Sequence, residues 1–149
     1  MWKRGDEMEQ MEAVRAWLAG WEGGGLEALT AEQLGRTPAC GLFFAGSEVL
    51  ERKESICGGA SVRTRAAFWL LRAVYAPPGS PAAGEMGQWM LDFQRWLRGQ
   101  SARDLVPRLG SSRTWAQAES AGILRGKADG ETVWRIRVTL EYETKEKES

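Results

Sequence analysis

Val133-Trp134-Arg135-Ile136-Arg137-Val138-Thr139-Leu140-Glu141-Tyr142-Glu143 is the stretch on which the fold turns. Trp134, Ile136, Val138, Leu140 and Tyr142 alternate with Arg135, Arg137, Thr139, Glu141 and Glu143, and a period of two belongs to a strand rather than a helix. One face of that strand is therefore buried and the other wet. Just upstream, Asp129-Gly130 is the hairpin dipeptide open to a chain that contains no Asn. The hairpin joins the last strand to a preceding segment, Thr114 to Leu124.

Further upstream, Ser80 is a sound N-cap with Pro81 at the first helical position. Met86, Trp89, Met90, Phe93 and Leu97 then form one stripe, which predicts a helix ending near Arg98, where Gly99 stops it. The firm break at Ala76-Pro77-Pro78-Gly79 precedes it. Between that break and Gly58-Gly59 lies an apolar run, Val62 to Tyr75. Its Val, Thr, Phe, Trp and Tyr content favours a strand, while Ala66-Ala67 and Leu70-Leu71 leave a helix open. Leu42-Phe43-Phe44 opens another strand, which Glu48 to Lys53 continues or pairs with. The pattern of 26–38 is weak and polar, as for a connection or a short irregular element. At the start, Met8, Met11, Val14, Trp17, Leu18 and Trp21 share one face of a helix over Asp6 to Trp21. Asp6 caps it, Glu9 stands at the capping-box position, and Gly23-Gly24-Gly25 ends it.

The expected architecture is an α+β fold formed as one domain over 1–149, with elements in the order α-β-β-α-β-β. Two helices cover one face of a mainly antiparallel four-stranded sheet, and 144–149 form a frayed charged tail. Trp17, Trp21, Trp69, Trp89 and Trp134 fall on apolar faces or in the apolar strand and read as core.

The chain has 149 residues with 20 Lys+Arg, 20 Asp+Glu and no His. Without His there is no Ser/His/Asp or Cys/His triad, and the commonest metal ligand is missing too. Gly122 to Ala128 is one residue short of a phosphate loop and ends on Ala where a hydroxyl would hold magnesium. Glu141 and Glu143 have no sequence-level reason for a raised pKa, and Cys57 has no His to activate it. The sequence therefore points away from an enzyme and suggests no cofactor or metal. Cys40 and Cys57 are expected to be free and buried. No run of apolar residues is long enough for a membrane helix, and no apolar region follows Lys3 and Arg4 as a secretory signal needs, so an intracellular setting is expected.

The zero net charge is unevenly built: residues 1–60 sum to −4, 61–113 to +5 and 114–149 to −1. Complementary patches of this kind suit self-association. The wet face of the last strand runs from Arg135 and Arg137 to Glu141 and Glu143, which suits head-to-tail contact between subunits as much as it suits solubility. Arg63 and Arg65, beside Phe68 and Trp69, join these four as candidate interface residues. Arg-and-aromatic sheets also bind single strands, yet Trp134 and its neighbouring arginines point to opposite faces.

In its order and local texture the chain resembles the minor capsid or tail-terminator proteins of long-tailed bacteriophages and prophages. The residues concerned are the helix ending near Trp17-Leu18, the extended Leu42-Phe43-Phe44, and the run Phe68-Trp69-Leu70-Leu71-Arg72. They continue with the helix Trp89-Met90-Leu91-Asp92-Phe93-Gln94-Arg95-Trp96-Leu97, the Leu105-Val106-Pro107-Arg108-Leu109 connection, and the last strand, Arg137-Val138-Thr139-Leu140-Glu141-Tyr142. The similarity spans residues 8–143, and 23–61 departs most from the pattern. It implies a non-enzymatic ring subunit, typically of a hexamer, which caps the tail tube, stops its polymerisation and meets the head-tail connector. The implied partners are other copies of the chain, the tail-tube protein and the connector. The implied location is the virion tail or neck, with host cytoplasm during assembly. Nucleic acid is not an expected partner, apart from DNA passing through the ring. The alternatives are a head-completion or neck protein, or an intracellular nucleic-acid-binding α+β module.

Overall fold

The computed structural model describes residues 4–146, with side chains from Glu9 onward. The elements are α1 (Arg4–Ala19), β1 (Thr30–Ala31), β2 (Ala39–Glu54), β3 (Ala60–Tyr75), α2 (Pro81–Ala102), β4 (Trp115–Gly126) and β5 (Glu131–Glu146). The strands form one five-stranded sheet in the order β1-β2-β3-β5-β4. β1 runs parallel to β2 and every other pair is antiparallel, so the sheet is mixed.

This overturns the four-stranded α-β-β-α-β-β expectation. The additional strand is two residues long, too short for any periodic pattern to announce. It is made by pairing rather than by propensity: Thr30 registers with Gly41 and Ala31 with Leu42. The Glu32 N–H donates to the Leu42 carbonyl at 2.8 Å, and the Phe44 N–H donates to the Glu32 carboxylate at 2.8 Å.

Val62 to Tyr75 is strand, and the helical alternative is excluded. Leu42-Phe43-Phe44 and Glu48 to Lys53 belong to the same strand, β2, interrupted by a register shift between Phe44 and Ser47. Gly46, at φ 105°, takes the left-handed turn there at no steric cost. β3 and β5 pair without interruption from Ala60↔Glu146 to Tyr75↔Glu131. Residues 144–146 are therefore strand rather than frayed tail, and 147–149 lie outside the described residues.

Strand parity sorts the side chains. Phe68 and Leu70 of β3, Ile136, Val138, Leu140 and Tyr142 of β5, Leu42 of β2 and Ala116 of β4 pack in one cluster. Against them lie Val14 and Leu18 of α1 and Met86, Met90, Phe93 and Leu97 of α2. Both helices thus cover the same face. Ala67, Trp69, Leu71, Ala73, Arg135 and Arg137 have the opposite parity and belong to the face without helices.

The helices meet through aromatics. Trp21 lies 5.5 Å from Phe93, 5.6 Å from Trp96 and 5.7 Å from Trp89, and Trp17 lies 5.3 Å from Trp96. The indole N–H of Trp89 donates to the Gly24 carbonyl and that of Trp17 to Gln100, both at 2.8 Å. These bonds give the half-buried indoles their polar partner.

Asp6 lies within α1, not ahead of it, and its side chain and that of Met8 are outside the described residues. Ser80 caps α2 as its sequence implies, accepting from the Ala83 N–H at 3.2 Å. Gly99 does not stop this helix. The Ser101 hydroxyl donates to the Ala116 carbonyl at 2.6 Å and accepts the Ala116 N–H at 3.0 Å. Those tertiary bonds outweigh the cost of about 1 kcal/mol for an interior glycine.

Candidate subunit interface on the helix-free face

All six residues singled out for subunit contact lie on the face the helices leave open. β3 and β5 bring them together, because Arg63 registers with Glu143, Arg65 with Glu141, Trp69 with Arg137 and Leu71 with Arg135. The bulge in β2 turns Glu48 and Glu51 onto the same face, opposite Arg65 and Arg63.

The two ends of the stripe behave differently. At the acidic end, Arg65 donates to Glu141 through Nη2 at 2.6 Å and Nε at 3.1 Å, and its Nη1 reaches Glu48 at 3.4 Å. The hydrogen bond it donates to Glu141 holds the Arg65 guanidinium above even its ordinary high pKa. Arg63 lies 3.9 Å from Glu51, which is also 3.3 Å from Lys53. Glu141, Glu48 and Glu51 are thus paired within the subunit, while Glu143, opposite Arg63, has no cation within 4 Å among the described residues.

The basic end has no such partners. Arg135 lies 4.6 Å and Arg137 6.0 Å from the centre of the Trp69 ring. Among the described residues neither has a carboxylate within 4 Å, although Glu119 registers opposite Arg137. Arg137 Nε is buried without a hydrogen-bond partner, and so is the hydroxyl of Thr139, two residues further along the same strand face. Thr139 is only 1% exposed, so this part of the face is drier than a solvated strand surface. On this face the half-buried Phe43 registers with Trp69 and the half-buried Leu71 with Arg135, the exposed Trp115 registers with Glu141, and the exposed Tyr75 lies further along β3, opposite Glu131.

Trp69 was expected in the core with Trp17, Trp21, Trp89 and Trp134. It instead forms the floor under two arginines. Alternation sets Trp69 on the opposite face from Phe68 and Leu70, and the packing of those two against the helices is what turns Trp69 away from the core. Cys40 is buried and Cys57 is exposed in the β2–β3 turn, both as free thiols, so the expectation of two buried cysteines fails for Cys57. Burial pushes the Cys40 thiol up, against a smaller opposing pull from Arg72.

Elsewhere, an apolar cleft of about 430 Å³ opens between α1 and the sheet, lined by Met11, Phe44, Phe68 and Tyr142 among others. Among the described residues no cluster of three metal-binding side chains occurs, and no helix is long and apolar enough to cross a membrane. The 122–128 segment is the end of β4 and the turn into β5, with Asp129 accepting from the Glu131 N–H at 2.9 Å. It opens no helix, so it lacks the helix N-terminus that a phosphate loop requires.

No protein-family model matches the chain, and no curated protein matches it.

Proposed function

We propose that this chain is a non-enzymatic structural subunit of the phage tail-terminator type, which closes into a ring, probes no substrate and acts by shape. The ring covers the growing end of a tail tube, stops its polymerisation and offers its other side to the head-tail connector. It needs no cofactor, and its place is the virion tail or neck after assembly in the host cytoplasm.

The observation that carries this reading is the helix-free face of the sheet. It presents half-buried apolar residues, a Trp69 floor and two arginines without carboxylate partners. Apolar side chains and unpaired arginines gathered on one open sheet face support a partner that covers them. A contact between two different surfaces of identical subunits repeats around an axis, and it makes a ring when the rotation closes and a filament when it does not. The sheet edges are poor alternatives. β1 pairs only with Gly41 and Leu42, so the rest of β2 borders that edge; β2 is interrupted at Phe44/Ser47 and at Val49/Glu51, and the other edge strand, β4, at Glu119/Gly122 and at Ile123/Arg125. Bulges on edge strands act against edge-to-edge pairing, which leaves the face as the better candidate for subunit contact.

The nucleic-acid reading gains an aromatic on the arginine side but loses more. Glu48, Glu51, Glu119, Glu141 and Glu143 share that face, and a continuous phosphate backbone would be repelled by them. Negative-stain images and light scattering test the proposal. Six subunits of 16.5 kDa close into a pored particle of about 100 kDa. A chain that stays monomeric at high concentration, and ignores tail-tube protein, contradicts it.

A further inference from the structure

Resting on the ring reading, we propose that Trp69, Arg135 and Arg137 form a carboxylate-binding platform, and that its occupant is the acidic connection between α1 and β1 of a second copy, through Glu22 and Glu27. Stacking on an indole uses the flat side of a guanidinium and leaves its N–H edge free, the edge that grips a carboxylate with two parallel bonds. Arg137 Nε and the Thr139 hydroxyl are buried with nothing to bond. Those two atoms are closed off within the subunit, so the nitrogens open to a neighbour are the Nη atoms of the half-buried Arg135 and Arg137, which have no hydrogen-bond partner among the described residues.

Charge complementarity and the absence of any cation nearby in the chain support this occupant. Glu22 and Glu27 are both exposed and, among the described residues, neither lies within 4 Å of a cation. No Lys or Arg occurs between Arg15 and Arg36, so the whole connection is acidic. Gly23, Gly24 and Gly25 carry no side chain to hold a neighbouring surface away. Two free carboxylates thus face two free guanidiniums. The connection leads into β1, at one edge of the sheet, while Arg135 and Arg137 lie on β5, one strand from the other edge. Because the donor and acceptor patches lie toward opposite edges of the sheet, a head-to-tail contact, the type that builds rings, uses one of each from every subunit.

The test is charge reversal and its repair, read by sedimentation velocity over a concentration series of the full chain. Arg135→Glu with Arg137→Glu should weaken self-association at least tenfold, and so should Glu22→Arg with Glu27→Arg. Mixing the two variants should restore it, since each supplies the sign the other lacks. Should the sheet variant fail to fold, the Glu22/Glu27 variant carries the test alone, because it changes only an exposed turn. If the wild-type chain assembles and that variant assembles equally well, the platform is overturned while the ring stands. If the wild-type chain is monomeric throughout, the ring reading fails and the platform with it.

Discussion

Replacing Arg65 by Ala should expose how the acidic end of the β5 stripe is held. The Arg65 guanidinium donates to Glu141 at 2.6 and 3.1 Å and lies 3.4 Å from Glu48. Its side chain is 35% exposed and that of Glu141 31%, which places the pair between a solvated surface bridge and a buried one. Exposed pairs contribute about 0.2–1 kcal/mol, and hydrogen bonds to charged groups about 1.5–3 kcal/mol. With solvent screening at one-third exposure, a coupling of about 1 kcal/mol is expected between Arg65 and Glu141. For a chain of this size that is a shift of about 3 °C in Tm. The assay is a double-mutant cycle in urea, followed by tryptophan fluorescence, on wild type, Arg65→Ala, Glu141→Ala and the double variant. A coupling below about 0.3 kcal/mol, or of opposite sign, would refute the claim that Glu141 is paired within the subunit.

Four further outcomes follow from the same structure. Ser101→Ala removes a hydroxyl bonded to both backbone groups of Ala116, and chemical denaturation should register a loss of about 1–3 kcal/mol from the unpaired groups. Phe93→Ala empties the centre of the aromatic contact between the helices and should cost about 3–5 kcal/mol by the same measure. A thiol reagent should modify one cysteine of the native protein at once, Cys57, and reach Cys40 only on unfolding. Burial raises the pKa of both Cys40 and Tyr142. Their contribution to stability is therefore full below the unfolded thiol value of about 8.5 and is lost as pH rises toward the folded values. Tyr142→Phe should flatten the alkaline part of a stability-against-pH curve above about pH 10.

Much of the fold is written in local pattern, and what is not has a physical reason. The alternation over 133–143 and the Ser80-Pro81 start of α2 depend on neighbours in sequence, so both can be read directly. β1 depends on Glu32 and Thr30 meeting β2, a long-range pairing that two residues cannot advertise. Gly99 reads as a helix stop because the bonds of Ser101 to Ala116 lie in another element. The candidate interface shows the same division. All six residues share one face, which follows from parity once β3 is a strand. The pairing of Arg65 with Glu141 is different: it requires β3 and β5 to be neighbours, although α2 and β4 separate them in the chain. Trp69 is the instructive case. A strand apolar on both faces hides which tryptophan is core, and only the partners across the sheet reveal that this one lies beneath two arginines.

The most direct test of the account is the mass of the purified chain by light scattering, alone and with tail-tube protein. A closed particle of about 100 kDa, six copies of 16.5 kDa, is the expected result. A 16.5 kDa species that persists at the highest concentration and in the presence of the tube protein would contradict it.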